Sequence, residues 1–377
     1  LIAKILPLCY DTVWQANRMG KSVSVIIPTY NERDNIAPLV ERIDRALASD
    51  NYEVVFVDDN SQDGTAAAID RLSAKYPVKA LVRKDERGLA TAVIHGINNS
   101  EGDTIIVMDA DLQHPPEVIP DLLKGIGSGA DVAVASRYTE GGGMEEWGLV
   151  RRVISRGAIF LCHLLLPATR PVKDPMSGYF AFRRQVVGDA VMKPSGWKIL
   201  LEILLVGKFQ KAVEVPYTFT VRAGGESKLN TRQQIEYLRH LFTLMRRTGE
   251  LMRFIKFCLV GASGVGVNLG IFWLLTRFGG MGEKDFLALA LAIEASIISN
   301  FTLNEFFTFR DRRHPGASFL LRLLKFNVIC LVGAGIQAGV YALLHHAIGL
   351  YDLVSNLIGI IIAMLWNYLL NTWWTWK

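Results

Sequence analysis

From residue 23 the chain alternates between short apolar runs and longer stretches whose apolar positions recur every three or four residues. The short runs, 23–27, 52–57, 78–82, 104–108 and 131–135, are rich in Val and Ile and have the length of buried strands. Between them, 34–48, 65–75, 89–98 and 117–126 carry one-sided apolar spacing and predict amphipathic helices. Strand–helix alternation of this kind predicts parallel pairing in a doubly wound sheet. Further on the pattern changes. Four stretches, about 254–278, 286–309, 324–350 and 353–376, stay apolar for the roughly 20 residues needed to cross a hydrocarbon core of about 30 Å.

These four stretches contain a repeat. Shifting by 69 pairs Lys256 with Lys325, Phe257 with Phe326, Gly264 with Gly333, Gly266 with Gly335 and Gly270 with Gly339. Shifting by 67 pairs Asn300 and Asn304 with Asn367 and Asn371, and Phe306-Phe-Thr-Phe309 with Trp373-Trp-Thr-Trp376. A two-helix unit is therefore present twice, both copies in one orientation. The glycines permit close helix approach, and the aromatic clusters suit a membrane–water interface. Glu294 and Glu305 lie in the second stretch. Glu305 is expected near the interface, and Glu294 either pairs with Asn268 or Gln337 or lines a lipid-handling cavity.

Two shorter segments precede the spans. Residues 151–166 begin with Arg151, Arg152 and Arg156, continue in bulky apolar residues and stop at Pro167. In 231–251, Tyr237, Leu238, Leu241, Phe242, Leu244 and Met245 recur at helical spacing among Arg239, His240, Arg246 and Arg247. Both predict helices lying on a membrane surface, the alternative being ordinary packing on the folded domain.

The polar residues of the first half gather just after the strands: Pro28-Thr-Tyr-Asn-Glu32, Asp58-Asp-Asn-Ser61, Lys84, 109–113 and Ser136-Arg-Tyr138. In an open α/β sheet that is the edge where ligands bind. Asp109, Asp111 and Gln113 bring two carboxylates and an amide there, a set that suits a hard divalent cation shared with a bound phosphate. No glycine-rich dinucleotide fingerprint or P-loop comes after the first strand. A length of 377 residues predicts two or three domains, and a hydrophobic fraction of one half points to a membrane portion. A net charge of +5, without an aromatic-plus-basic RNA motif, does not suggest nucleic-acid binding. Cys9, Cys162, Cys258 and Cys330 have no paired spacing, against a disulfide framework or a zinc site. Residues 1–18 share no pattern with the rest of the chain, and Met19 reads as a natural start. Residues 1–20 are therefore expected to be an extension outside the native structure.

Val25-Ile-Ile-Pro-Thr-Tyr-Asn-Glu32, Val57-Asp-Asp-Asn-Ser61, Gly64-Thr65 and Met108-Asp-Ala-Asp-Leu-Gln-His-Pro-Pro116 resemble the family 2 glycosyltransferases of GT-A fold. Ser136-Arg-Tyr138, Asp174-Pro-Met-Ser-Gly178 and Arg222-Ala-Gly-Gly-Glu-Ser-Lys228 narrow the resemblance to polyprenyl-phosphate sugar synthases, the dolichol-phosphate mannose synthases above all. The resemblance implies a Rossmann-like mixed α/β sheet with interfacial helices, then an all-α four-helix transmembrane domain. It implies that Pro28, Tyr30, Glu32, Val57 and Asp59 hold the donor's nucleoside, with Lys84 and Ala110 also at the donor. By the same resemblance Asp109 touches the ribose or diphosphate, and Asp111 and Gln113 ligate Mg²⁺ or Mn²⁺. Arg137 lies near the transferred sugar and the acceptor phosphate, while Arg151, Arg222 and Lys228 gather around the two phosphate groups. Catalytic roles would fall to Asp111, Arg137 and Asp174; for Asp174, positioning the acceptor and capping a turn before Pro175 both stand open. An acceptor phosphate is already anionic, so no catalytic histidine is required, and His95 and His114 are read as structural or peripheral rather than as acid–base groups.

The implied reaction moves mannose from GDP-mannose to dolichyl phosphate with inversion. The alternatives are glucose transfer from UDP-glucose to a polyprenyl phosphate, or a lipid-sugar transporter with a degenerate transferase domain. The expected domains are 21–228 for catalysis, including the interfacial helix at 151–166, then 229–253 as a juxtamembrane helix and 254–377 as the membrane domain. Arg246, Arg247, Arg253 and Lys256 precede the first span, and Arg310, Arg312, Arg313, Arg322 and Lys325 separate the second from the third. The positive-inside rule thus predicts a multi-pass protein with both ends in the cytoplasm.

Overall fold

The computed structural model describes residues 22–145, 148–188, 190, 192, 198–220, 231–280, 286–313 and 318–376. The chain divides into two units, Leu1–Leu244 and Met245–Lys377. In the first, chain order begins β1 (Val23–Thr29), α1 (Arg33–Ala46), β2 (Tyr52–Asp58), α2 (Thr65–Leu72), β3 (Val78–Val82), α3 (Leu89–Asn98) and β4 (Thr104–Val107). It continues α4 (Ile119–Gly127), β5 (Val132–Ser136), β6 (Gly143–Met144), α5 (Leu149–Leu165), β7 (Phe180–Arg183), α6 (Ile199–Val206), β8 (Ala212–Pro216) and β9 (Thr218–Phe219). The next helix is α7 (Thr231–Thr248). The expected extension at 1–20 falls outside the described residues.

Seven strands form one sheet in the order β3-β2-β1-β4-β7-β5-β8, and β6 pairs β9 separately. The Val/Ile runs of β1, β2, β4 and β5 are buried on both faces, whereas β3, at the sheet edge, is partly exposed. Val25, Ile27, Val54 and Phe56 pack against Ile36, Leu39, Val40 and Ile43 of α1 and Ile119 and Leu122 of α4. Ile26, Val55 and Val57 pack with Val93 and Ile97 of α3 and Ile199, Leu200 and Ile203 of α6. Each such side chain contributes about 1.5–3 kcal/mol on burial, so α1 is held by its i, i+3, i+4, i+7 stripe.

The parallel expectation holds for β1 with β2 and β4, for β2 with β3, and for β5 with β8. It fails at β7, which runs antiparallel between β4 and β5 and makes the sheet mixed. The consequence is positional. Val107 and Val134 both pair with Phe180, the first residue of β7, so the loop entering β7 meets the carboxyl ends of β4 and β5 at one edge.

α5 and α7 each have one packed side and one apolar side facing outward. Ile159 and Cys162 are buried in α5, whereas Leu149, Val150, Val153 and Phe160 are exposed. In α7, Tyr237, Leu241 and Leu244 are buried while Ile235, Leu238 and Phe242 are exposed. The Tyr237 hydroxyl donates to the Ala158 carbonyl at 2.8 Å, tying the two helices together.

The second unit has α8 (Glu250–Arg277), α9 (Phe286–Leu303), α10 (Phe319–Ala342) and α11 (Asp352–Leu370). With the π-helical turns that extend three of them, all four are long and apolar enough to span a membrane. The repeat read from sequence recurs as contacts. A Cβ built on Gly264 would stand 2.4 Å from the Asn300 amide, and one on Gly333 would stand 2.4 Å from Asn367 Oδ1. Asn304–Thr308 and Asn371–Thr375 are both π-helical, closing with Phe309 N–H to Asn304 O and Trp376 N–H to Asn371 O. Lys256 sits over the Phe307 ring and Lys325 over that of Trp374.

Three details add to or differ from the sequence reading. Glu305 is fully buried, paired with Arg322 at 2.6 Å and Arg313 at 3.2 Å and accepting from Trp376 Nε1 at 2.7 Å. Both carboxylate oxygens of Glu294 accept from Asn327 Nδ2, rather than from Asn268 or Gln337, and Gln337 donates to Asn356. The terminal aromatics divide: Phe309 and Trp376 stack 4.2 Å apart inside the bundle, while Phe306, Phe307, Trp373 and Trp374 face outward. An amphiphilic pattern locates a helix face but not its partner, because pairing depends on crossing geometry.

Candidate active site

The first two strand ends are knitted together by short polar side chains. Asn31 and Asn60 adopt positive φ of 57° and 59°, which asparagine tolerates. The Asn31 N–H donates to Ser61 Oγ, and Ser61 donates from its N–H and hydroxyl to Asp58. Pro28 lies beside Val57 in register, Tyr30 is half-exposed, and the Arg87 guanidinium lies 5.0 Å from the centre of its ring. The Glu32 carboxylate accepts from Asn35 and its N–H donates to Thr65 Oγ1. Asp59 is buried and accepts from Arg83 Nε at 2.8 Å, from Arg83 Nη2, and from the Gly88 N–H at 2.8 Å. Its carboxylate thus secures the 83–88 loop, on which Lys84 is exposed.

At the end of β4 the backbone turns sharply. Leu112 has a φ of 63°, a left-handed conformation that costs a branched residue roughly 1–2 kcal/mol. The strain brings Asp111, buried, into a turn in which its Oδ1 accepts from the Gln113 N–H. Gln113 Nε2 donates to the Thr220 carbonyl at 3.0 Å, which directs its amide oxygen away from Thr220. Thr220 in turn donates to the Leu112 carbonyl. Ala110 is buried between the two aspartates.

His114 holds the same turn from behind. Its Nδ1 accepts from the Asp109 N–H at 2.9 Å, and its ring stacks on Tyr179 at 5.1 Å with Tyr217 and Phe219 edge-on. Burial pushes its pKa down to about 3, so the ring is neutral at physiological pH, in keeping with a structural role. Gly178 faces it: an added Cβ would lie 3.2 Å from His114 Cε1 and 3.4 Å from Asp109 Oδ2. The 174–178 loop thus runs in close contact with the His114 ring and beside the Asp109 carboxylate.

The end of β5 supplies the cations. Arg137 reaches Asp174 through two parallel bonds of 2.8 Å, and its backbone N–H adds a third. Asp174 has no exposed surface, and its own N–H donates to Glu214 on β8. Burial opposes the Arg137 charge, but hydrogen bonding to Asp174 outweighs it and holds the guanidinium pKa above its usual value. Asp174 therefore orients an arginine, rather than capping a turn. Tyr138 donates to Ser155 at 2.7 Å and anchors α5 beside the site. Burial and the nearby Arg137 charge draw the Arg151 pKa below its norm. Two like charges kept within reach of each other favour an anion.

Sequence reasoning did not single out Glu214 or Lys198. Lys198, the N-cap residue of α6, donates to the Met176 carbonyl at 2.8 Å. Each is the charge that interrupts or borders an apolar run, a signal visible in 212–216 and 198–206. Arg222 and Lys228 lie outside the described residues.

The donor set fits a divalent cation. Asp111 and Gln113 present a carboxylate and an oriented amide oxygen from one turn, all-oxygen chemistry suited to Mg²⁺ or Mn²⁺. Among the described residues no cluster of three or more His, Cys, Asp or Glu forms a self-sufficient metal cage.

Residues 24–190 match the glycosyl transferase family 2 domain, and residues 256–376 match the GtrA/DPMS transmembrane domain. A dolichol-phosphate mannosyltransferase of Pyrococcus furiosus is 48% identical over 94% of this chain and 99% of its own length. The Saccharomyces cerevisiae protein of the same name is 38% identical, over 63% of this chain and 94% of its own length. Among solved structures, glucosyl-3-phosphoglycerate synthase of Mycobacterium tuberculosis is 20% identical with a TM-score of 0.49, over 62% of this chain and 82% of that one.

Proposed function

Because the chain belongs to the dolichol-phosphate mannosyltransferases, glycosyltransferases of family 2, we propose that it transfers mannose from GDP-mannose to dolichyl phosphate with inversion, releasing GDP at the cytosolic face of a membrane. The observation that supports this most is the Arg137–Asp174 clamp, which fixes a guanidinium beside Arg151 on the sheet edge that carries Asp109, Asp111 and Gln113.

A sugar leaves a nucleoside diphosphate only when the charge growing on the diphosphate is neutralised, and fixed cations in a water-poor site do this without reorganisation. In this reading Arg222 and Lys228 meet the donor diphosphate, and Arg137 and Arg151 meet the acceptor phosphate. Asp109 orients the ribose or diphosphate. Pro28, Tyr30, Glu32 and Val57, with Lys84, surround the nucleoside, and Asp59 acts through the loop that it secures. Mg²⁺ or Mn²⁺ bound by Asp111 and Gln113 supplies further charge neutralisation. The acceptor phosphate is an anion near neutral pH, so attack on the anomeric carbon calls for no side-chain base.

The match to the glycosyl transferase family 2 domain falls on residues 24–190, which favours placing the chemistry in the first unit. The outward apolar sides of α5 and α7, with Arg152, Arg156, Arg239 and Arg246 on the same helices, suit a lipid surface where a long-chain acceptor enters. The names of the relatives favour mannose over glucose.

The test uses purified full-length protein, Mg²⁺, dolichyl phosphate and labelled GDP-mannose or UDP-glucose, with label followed into lipid. Transfer from GDP-mannose is expected, and Asp111→Ala should reduce it at least about 100-fold with an unchanged melting temperature. A chain that moves label from neither donor, or an Asp111→Ala variant of full activity, contradicts the reading.

A further inference from the structure

We propose that Lys198 recognises the hexose of the donor, its ammonium donating a hydrogen bond to a hydroxyl of the sugar being transferred. This rests on the mannosyltransferase reading above. Lys198 is the N-cap residue of α6, whose first residues Ile199, Leu200 and Ile203 are anchored in the core, so its backbone is fixed. Its Nζ donates to the Met176 carbonyl at 2.8 Å. Met176 belongs to the loop that contributes Asp174 to the Arg137 clamp and Gly178 to the close approach on Asp109. The ammonium is therefore tied to the segment that faces the donor turn.

Its electrostatic neighbours are Arg137, Asp109 and Asp174, and His114 also feels its charge. Burial and Arg137 draw the ammonium pKa down to about 8, which marks a cation held where charge is costly. The surroundings are mixed. Arg137 stands beside both Arg151 and Lys198, but Lys198 also has the carboxylates of Asp109 and Asp174 in its neighbourhood. A neutral polyhydroxyl group, which both donates and accepts, matches that mixture of donors and acceptors. A site built to hydrogen-bond a hydroxyl discriminates strongly against an analogue lacking it.

The experiment measures initial rates with GDP-mannose and its 2-, 3-, 4- and 6-deoxy analogues for the wild type, Lys198→Met and Lys198→Arg. Lys198→Met keeps the aliphatic stem; if it does not fold, Lys198→Gln carries the same readings. The wild type should disfavour one deoxy analogue by about 10- to 100-fold, as expected for loss of a charge-assisted hydrogen bond. Lys198→Met should lose a similar factor in kcat/KM on GDP-mannose and treat that analogue and GDP-mannose nearly alike. Its KM for dolichyl phosphate and its inhibition by GDP should stay unchanged, and Lys198→Arg should recover part of the discrimination. A Lys198→Met enzyme that still discriminates as the wild type does, or whose loss falls on dolichyl phosphate or GDP, overturns the assignment. A wild-type chain that transfers no mannose overturns the mannosyltransferase reading and this one with it.

Discussion

At Asp174 three N–H donors of a single arginine meet a carboxylate that has no exposed surface. Removing one partner of such a pair strands the other, a cost of about 3–5 kcal/mol, whereas an isostere that keeps the shape loses chiefly the charge. Asp174→Asn should therefore leave the protein folded but let Arg137 drift, with kcat/KM for dolichyl phosphate falling about 100-fold. Because Asp174 acts through Arg137, the double variant with Arg137→Ala should be no worse than Arg137→Ala alone. Steady-state kinetics on the three variants check this, and additive losses would show that Asp174 has a separate role. The residue types of the site were legible in the sequence, since Asp109, Asp111, Gln113, Arg137 and Asp174 all stand in short motifs. Their partnerships were not: Asp174 and Arg137 are 37 positions apart and Asp174 and Glu214 are 40. Local pattern carries no information on which distant groups meet.

Among the elements, the one that alters the site most is the short antiparallel strand β7. It has four residues, too few for periodicity to register, and its direction is set by its neighbours in the sheet. Without it the 174–178 loop would enter from the opposite edge. In the helical unit the two glycine–asparagine contacts are the corresponding devices, since a backbone this close to a side-chain amide tolerates no Cβ. Gly264→Leu and Gly333→Leu should each destabilise the detergent-solubilised protein by about 1–3 kcal/mol, the range for overpacking. Asn300→Ala and Asn367→Ala, respectively, should partly restore it. Melting temperatures measure both effects, and a loss confined to one glycine would mean that the two halves are not packed alike.

For the whole molecule, the duplicated helix pair and the distribution of Lys and Arg make a topological prediction. In a cysteine-free background, Ser318→Cys should react with an impermeant thiol reagent from the cytoplasmic side and Ile348→Cys from the opposite side. The reverse pattern would place the catalytic unit away from the cytosol. The alternation of strands and helices, the four long apolar stretches, their repeat and the motifs at the strand ends were determined by sequence alone. Each depends on neighbouring residues and on burial, which composition and period encode. The tertiary structure decided the antiparallel strand, the Leu112 turn, the service of Asp59 to a loop and of Asp174 to Arg137, the burial of Glu305 and the placing of Lys198. These arise where segments far apart in the chain are brought together, and there the partner chosen depends on three-dimensional packing and on the cost of leaving a buried charge alone.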